Sequence, residues 1–212
     1  WQLNSLSGDI SNVGKVFNYF FDYAEFFSNV EIGVISLGTL VTRVGKSVRP
    51  AEPGEDLLGV VSATSSIIGN SDNFSWAHRN LHGEFGELLT EPVDMVRWSG
   101  DDQFYDGPVE QAPSPIPDDA EYYTAEVPLE NPEWDATLEH VPRSDRPEEW
   151  SVIGLLGQVY VRIDDTVQPD DYLSAIGGVG TASETPTRFQ VMEITTPYDA
   201  EKGYGVAFCL LR

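Results

Sequence analysis

The sequence predicts a mainly β fold of short strands and hairpins joined by long loops, with few short helices. Three observations carry that expectation. Apolar residues alternate with small or polar ones over residues 32–48 and run almost unbroken over 152–163, which are strand patterns. Glycine and proline, 19 and 14 residues, interrupt the chain at short intervals. No amphipathic segment exceeds two helical turns, and no internal repeat is present.

Residues 1–21 carry little charge and lead into an aromatic block: Phe17, Tyr19, Phe20, Phe21, Tyr23, Phe26 and Phe27. Aromatics at this density form a core or a subunit seam. Residues 22–100 read as short strands. Gly33, Gly38 and Gly45 break the first alternation into hairpins, and Pro53-Gly54-Glu55-Asp56 is a turn before the apolar strand 57–62. A single helical turn is expected over 76–81. Residues 101–150 are rich in Pro, Asp and Glu, and Ala112-Pro113-Ser114-Pro115-Ile116-Pro117 favours an extended polyproline path over the surface. Tyr122, Tyr123 and Trp134 argue that this excursion is ordered. Strand character returns over 152–163, followed by a turn at Asp164-Asp165, a glycine turn over 177–180, and final strands at 191–194 and 205–211.

Composition narrows the function. With 41% apolar residues and five Trp, the chain can bury a substantial core. Thirty-five acidic residues against 12 basic ones give a net charge of -23 and a pI near 4.1. Nucleic acid is a poor partner and none is expected, because phosphate contacts need Lys and Arg; an anionic membrane surface is disfavoured for the same reason, and no membrane insertion is expected. No apolar run approaches the roughly 18 residues of a membrane span. Lysine is confined to Lys15, Lys46 and Lys202, a balance that suits a halophilic source. At about 1 M salt the Debye length is roughly 3 Å, so carboxylate repulsion is mostly screened. The opening Trp1-Gln2-Leu3-Asn4 has neither a basic leader region nor an initiator Met, and it is read as entering a longer polypeptide partway along. The lone Cys209 sits in an apolar segment and is expected to be an inert buried thiol.

Several motifs carry little. Gly177-Gly178-Val179-Gly180 lacks the following helix and the Lys-Ser/Thr ending of a nucleotide loop. His78 and His82 have helical i, i+4 spacing, and His140 is the third histidine, but Gly83 interrupts the segment and no metal is expected. No cofactor is implied. Asn73-Phe74-Ser75 fits a glycosylation sequon that arises easily by chance. Among 35 acids, pairs such as Asp118-Asp119 and Glu148-Glu149 do not single out a glycosidase couple.

The sharpest signal is Asp22-Tyr23-Ala24-Glu25-Phe26-Phe27. Two carboxylates inside an aromatic block should be partly desolvated, and their repulsion should separate their roles into acid and base. This segment resembles the Asp-Tyr-Ala-Glu opening of the peptidase G2 domain, the self-processing intramolecular chaperone at the C-terminus of bacteriophage tail-spike and appendage proteins. The likeness extends through Leu58-Gly59-Val60-Val61-Ser62-Ala63, Ile68-Gly69-Asn70, Glu84-Phe85-Gly86, Arg143-Ser144-Asp145-Arg146-Pro147-Glu148-Glu149-Trp150 and residues 152–162. The resemblance implies a homotrimer that registers the chains of a fibrous tail protein in the virion, after assembly in the host cytoplasm. Residues 1–21 would end the fibre or spike stem, and 22–212 would form the chaperone. It also implies cleavage at Phe21-Asp22, with Asp22 and Glu25 catalytic. Asp22 can reach the Phe21 carbonyl through a six-membered ring, and Glu25 can protonate the leaving nitrogen or position water. Some relatives carry a small residue such as Ser before the Asp, and Phe21 rules out a hydroxyl-mediated acyl shift. The alternative is a distal tip, retained on the virion without proteolysis, that binds a host receptor through Tyr122 or Trp134.

Overall fold

The computed structural model describes residues 2–3, 10–11, 19–71, 78–100, 104–137 and 139–212. The chain divides into two compact units, one of residues Trp1–Lys15 and Phe74–Glu139, the other of Val16–Asn73 and His140–Arg212. Both are built from strands, and the described helical turns are two short 3-10 segments at Val109–Gln111 and Arg143–Asp145.

In the first unit β1 (Gln2–Leu3) pairs with β2 (Ile10–Ser11). Its main element is a three-stranded antiparallel sheet. Here β8 (Thr90–Ser99) lies between β9 (Phe104–Pro108) and β10 (Glu121–Pro128). Met95 and Val96 are buried in the middle strand, while Trp98 stacks on Tyr105 with ring centroids 4.9 Å apart. The acidic excursion expected over 101–150 therefore contributes two paired strands. The proline run 112–117 itself lies outside any strand. The expected helical turn is also corrected where it is described. His78 has a positive φ, and Asn80 and His82 form isolated bridges to Glu130 and Leu88. This extended backbone removes the helical spacing of the two histidines. Residues 72–77, which hold the sequon and Trp76, lie outside the described residues, as does Phe17.

The second unit is a ten-stranded sheet organised on one long strand, β11 (Trp150–Ile163). Two rings of pairings close through it. The first runs from β11 to β3 (Asp22–Asn29), β5 (Ser47–Pro50), β4 (Leu40–Val44), β6 (Gly59–Val61) and back to β11. The second runs from β11 to β15 (Tyr204–Leu211), β14 (Phe189–Asp199), β12 (Tyr172–Ile176), β13 (Val179–Ser183) and back. Closure removes open edges. One strand stays outside both rings: β7 (Ser65–Gly69), which runs parallel to β3.

Local chemistry explains the hairpins. Gly177 and Gly178, with φ of 57° and 79°, make the two-residue turn between β12 and β13, a geometry that suits the twist of the flanking strands. The pattern of β15 is strictly two-residue: Gly205, Ala207, Cys209 and Leu211 face inward. Ala207, Cys209 and Leu211 join Val159, Val161, Phe189 and Leu173 in the larger core. Val41, Val48, Val61 and Ile153 form the smaller one.

Candidate functional site

Strand β3 carries the residues singled out by sequence. Its burial alternates, with Asp22, Ala24 and Phe26 inward and Tyr23 and Glu25 toward the outside. The inward face holds an acid where an apolar residue would be ordinary: Asp22 is 1% exposed. The Asp22 and Glu25 carboxylates, three residues apart on a strand, therefore lie on opposite faces. The expectation that the two acids crowd and repel one another is corrected by this period. Glu25 instead accepts a 2.6 Å hydrogen bond from the Tyr23 hydroxyl. That bond, with burial and the Glu25 charge adding to it, raises the Tyr23 pKa above the ordinary 10.0. Both side chains pack over Gly69 of β7, where a Cβ would lie 2.8 Å from the Tyr23 hydroxyl and 3.1 Å from Glu25 Cγ.

Around Asp22 both neighbouring strands are irregular. On β11 the register shifts between Gly154 and Leu156 opposite Ala24 and Tyr23. On β7 it shifts between Ser65 and Ile67 opposite Asp22 and Tyr23. Bulges of this kind bend a strand and re-aim its side chains. The Thr64 hydroxyl donates to Asp22 Oδ1 at 3.0 Å and the Ser65 hydroxyl to Oδ2 at 3.2 Å. The Ser66 hydroxyl donates to the Asp22 main-chain carbonyl at 3.0 Å, and the Phe21 amide donates to the Thr64 carbonyl at 3.1 Å. Gly154 lies beneath the carboxylate, with room for no Cβ: one there would sit 2.8 Å from Oδ2. Gly157, at φ +116°, lies against the preceding peptide, where a Cβ would be 2.5 Å from the Phe21 carbonyl oxygen.

Outside this pocket the surface is aromatic. Phe21 is 45% exposed and meets Phe208 edge-on at 5.8 Å, and Phe208 in turn contacts Tyr160. Tyr19, Phe20, Ile67 and Leu156 are exposed as well. Sequence reading singled out Asp22 and Glu25 but missed Thr64, Ser65, Ser66 and Gly157. Hydroxyl residues are common, and the one local sign was three of them in a row before Ile67. Among the described residues no cluster of three His, Cys, Asp or Glu side chains that could hold a metal occurs.

Residues 1–212 match the family described as Peptidase_G2, IMC autoproteolytic cleavage domain. The chain is 38% identical over 217 residues to the preneck appendage protein of Bacillus phage PZA, covering 100% of this chain and 22% of that protein. It is 36% identical over 211 residues to the pre-neck appendage protein of Bacillus phage B103, covering 99% and 21% respectively. The chain thus spans about a fifth of the length of these relatives. Two solved structures are similar. The pre-mature bacteriophage phi29 gene product 12 superposes with a TM-score of 0.79 at 36% identity, over 100% of this chain and 24% of that one. A C-terminal fragment of the same gene product gives 0.69 at 38% identity, over 90% of this chain and 100% of the fragment.

Proposed function

The chain belongs to the Peptidase_G2 family of autoproteolytic cleavage domains, and we propose that it trimerises and chaperones a viral appendage of tail-fibre or tail-spike type, then cuts itself at Phe21–Asp22. In this reading residues 1–21 are the end of the stem and 22–212 the chaperone, made in a host cell and associated with the virion. The observation that carries the reading is the buried Asp22 carboxylate, held by hydroxyls directly beside the bond it would cut. Two others support it. The exposed aromatics around Phe21 offer an apolar seam to a second and third copy. A C-terminal fragment of the relative's gene product is itself among the similar structures.

The chemistry is hydrolysis with one water consumed. An Asp22 carboxylate oxygen attacks the Phe21 carbonyl carbon, and the carbonyl pair moves to oxygen. Collapse breaks the C–N bond, and the nitrogen takes a proton and leaves as a new amino terminus. The proton comes from the water of hydrolysis, oriented by the Glu25 carboxylate that Tyr23 holds on the outer face, while the nucleophile works from the inner face. Water then opens the anhydride and restores Asp22. The test is to express the chain with its stem and seek, by mass spectrometry, a fragment beginning at Asp22. Asp22→Asn should remain uncut and folded. An uncut wild-type chain in assembled trimers would reject the protease role, and monomers at every protein concentration would reject the assembly role.

A further inference from the structure

Buried carboxylates ordinarily acquire a cation, because an isolated charge away from water is costly. Among the described residues no Lys or Arg pairs with Asp22; hydroxyls serve in its place. In a regular strand, consecutive side chains point to opposite faces, so Thr64, Ser65 and Ser66 could not all reach one residue. They do so because Thr64 precedes β7 and the bulge between Ser65 and Ile67 breaks the alternation of the strand that follows. Each hydroxyl takes a different acceptor of Asp22, namely Oδ1, Oδ2 and the main-chain carbonyl. The Thr64 carbonyl meanwhile takes the Phe21 amide. One short segment thus grips the residues on both sides of a single peptide bond. Its own conformation is fixed by the Thr64 amide, which donates to the Ser62 hydroxyl at 3.0 Å.

We propose that Thr64 and Ser65 are positioning residues for self-cleavage, setting the plane of the Asp22 carboxylate so that one oxygen faces the Phe21 carbonyl. This rests on the reading that Asp22 is the nucleophile. A donor on each oxygen removes rotation about the Cβ–Cγ bond, which a single donor would leave free. A neutral donor also differs from a guanidinium: it directs the anion without cancelling its charge, so the oxygen remains able to attack. The ring that links Oδ to the Phe21 carbon is short, and small errors in its geometry cost rate steeply.

The experiment follows the first-order appearance of the Asp22 fragment from the full chain with its stem, alongside thermal unfolding of each variant. Thr64→Val keeps the β-branched shape and removes the donor, Ser65→Ala removes the other, and Thr64→Ser restores a hydroxyl. Each loss should slow cleavage about tenfold and the double change on the order of 10²-fold. Thr64→Ser should recover a rate within about threefold of wild type, at a melting temperature no higher than that of Thr64→Val. If the double variant fails to fold, the comparison of Thr64→Val with Thr64→Ser decides. Folded Thr64→Val and Ser65→Ala chains that cut at the wild-type rate would overturn the proposal while leaving Asp22 in place. A Thr64→Ser chain as slow as Thr64→Val would overturn it too, since shape and not the hydroxyl would then matter. Cleavage that persists in Asp22→Asn would remove the underlying reading and this one with it.

Discussion

A side chain at position 157 would have to occupy the space that the Phe21 carbonyl fills, its Cβ only 2.5 Å from that oxygen, on a backbone of φ +116°. Gly157→Ala should therefore displace the Phe21–Asp22 peptide and slow cleavage at least about 10²-fold. It should also cost about 1–3 kcal/mol in unfolding free energy, the usual scale for a strained non-glycine residue. Cleavage kinetics and denaturant melts check the two effects separately. Cys209 makes a second residue-level prediction. Burial pushes its thiol up to about 12 from 9.0, so the folded protein keeps the proton longer than the unfolded chain does. Stability from the neutral thiol is then complete below about pH 9 and is lost as pH rises toward 12. Iodoacetamide at about pH 8 should leave Cys209 unmodified until the protein is unfolded. The inert thiol was legible from its apolar neighbours. Gly157 was not, because nothing local marks which glycine will face a distant peptide.

Among the elements, β11, β14 and β15 were readable because their apolar and β-branched runs are long, although β14 extends well past residues 191–194. Strand β7 is not legible in the sequence, although Ser65–Gly69 is paired to β3. Its serines carry little strand propensity, and a long-range partner decides the matter. The face assignment on β3 was available all along, since i, i+3 residues part company on any strand. Among the described residues β7 pairs with β3 on one side and exposes Ile67 at 62%. Natural edge strands guard against association with charge; this one presents isoleucine. If it belongs to the seam between copies, Ile67→Lys should leave the protomer's melting temperature within about 2 °C while shifting sedimentation to the monomer, because a single exposed substitution changes stability little. A trimer that survives this change would place the seam elsewhere.

At the scale of the molecule, the charge of -23 sets the conditions for assembly. In the proposed trimer three such charges come together, and at about 0.1 M salt a Debye length near 10 Å leaves much of that repulsion in force. Near 1 M it shrinks to roughly 3 Å, shorter than the spacing of most surface carboxylates, while the apolar contacts around Phe21, Phe208 and Tyr160 are not weakened. Association should therefore strengthen with salt, opposite to the behaviour of complexes joined by complementary charges. Sedimentation across a salt series should show monomer giving way to trimer as salt rises. If the aromatic seam must close before water is excluded from the cleavage bond, the yield of the Asp22 fragment should follow the same curve and rise with protein concentration. Cleavage at equal rates in dilute monomer and concentrated trimer would separate the two events. The buried clamp on Asp22 would then suffice within one protomer, and the charge would govern assembly alone.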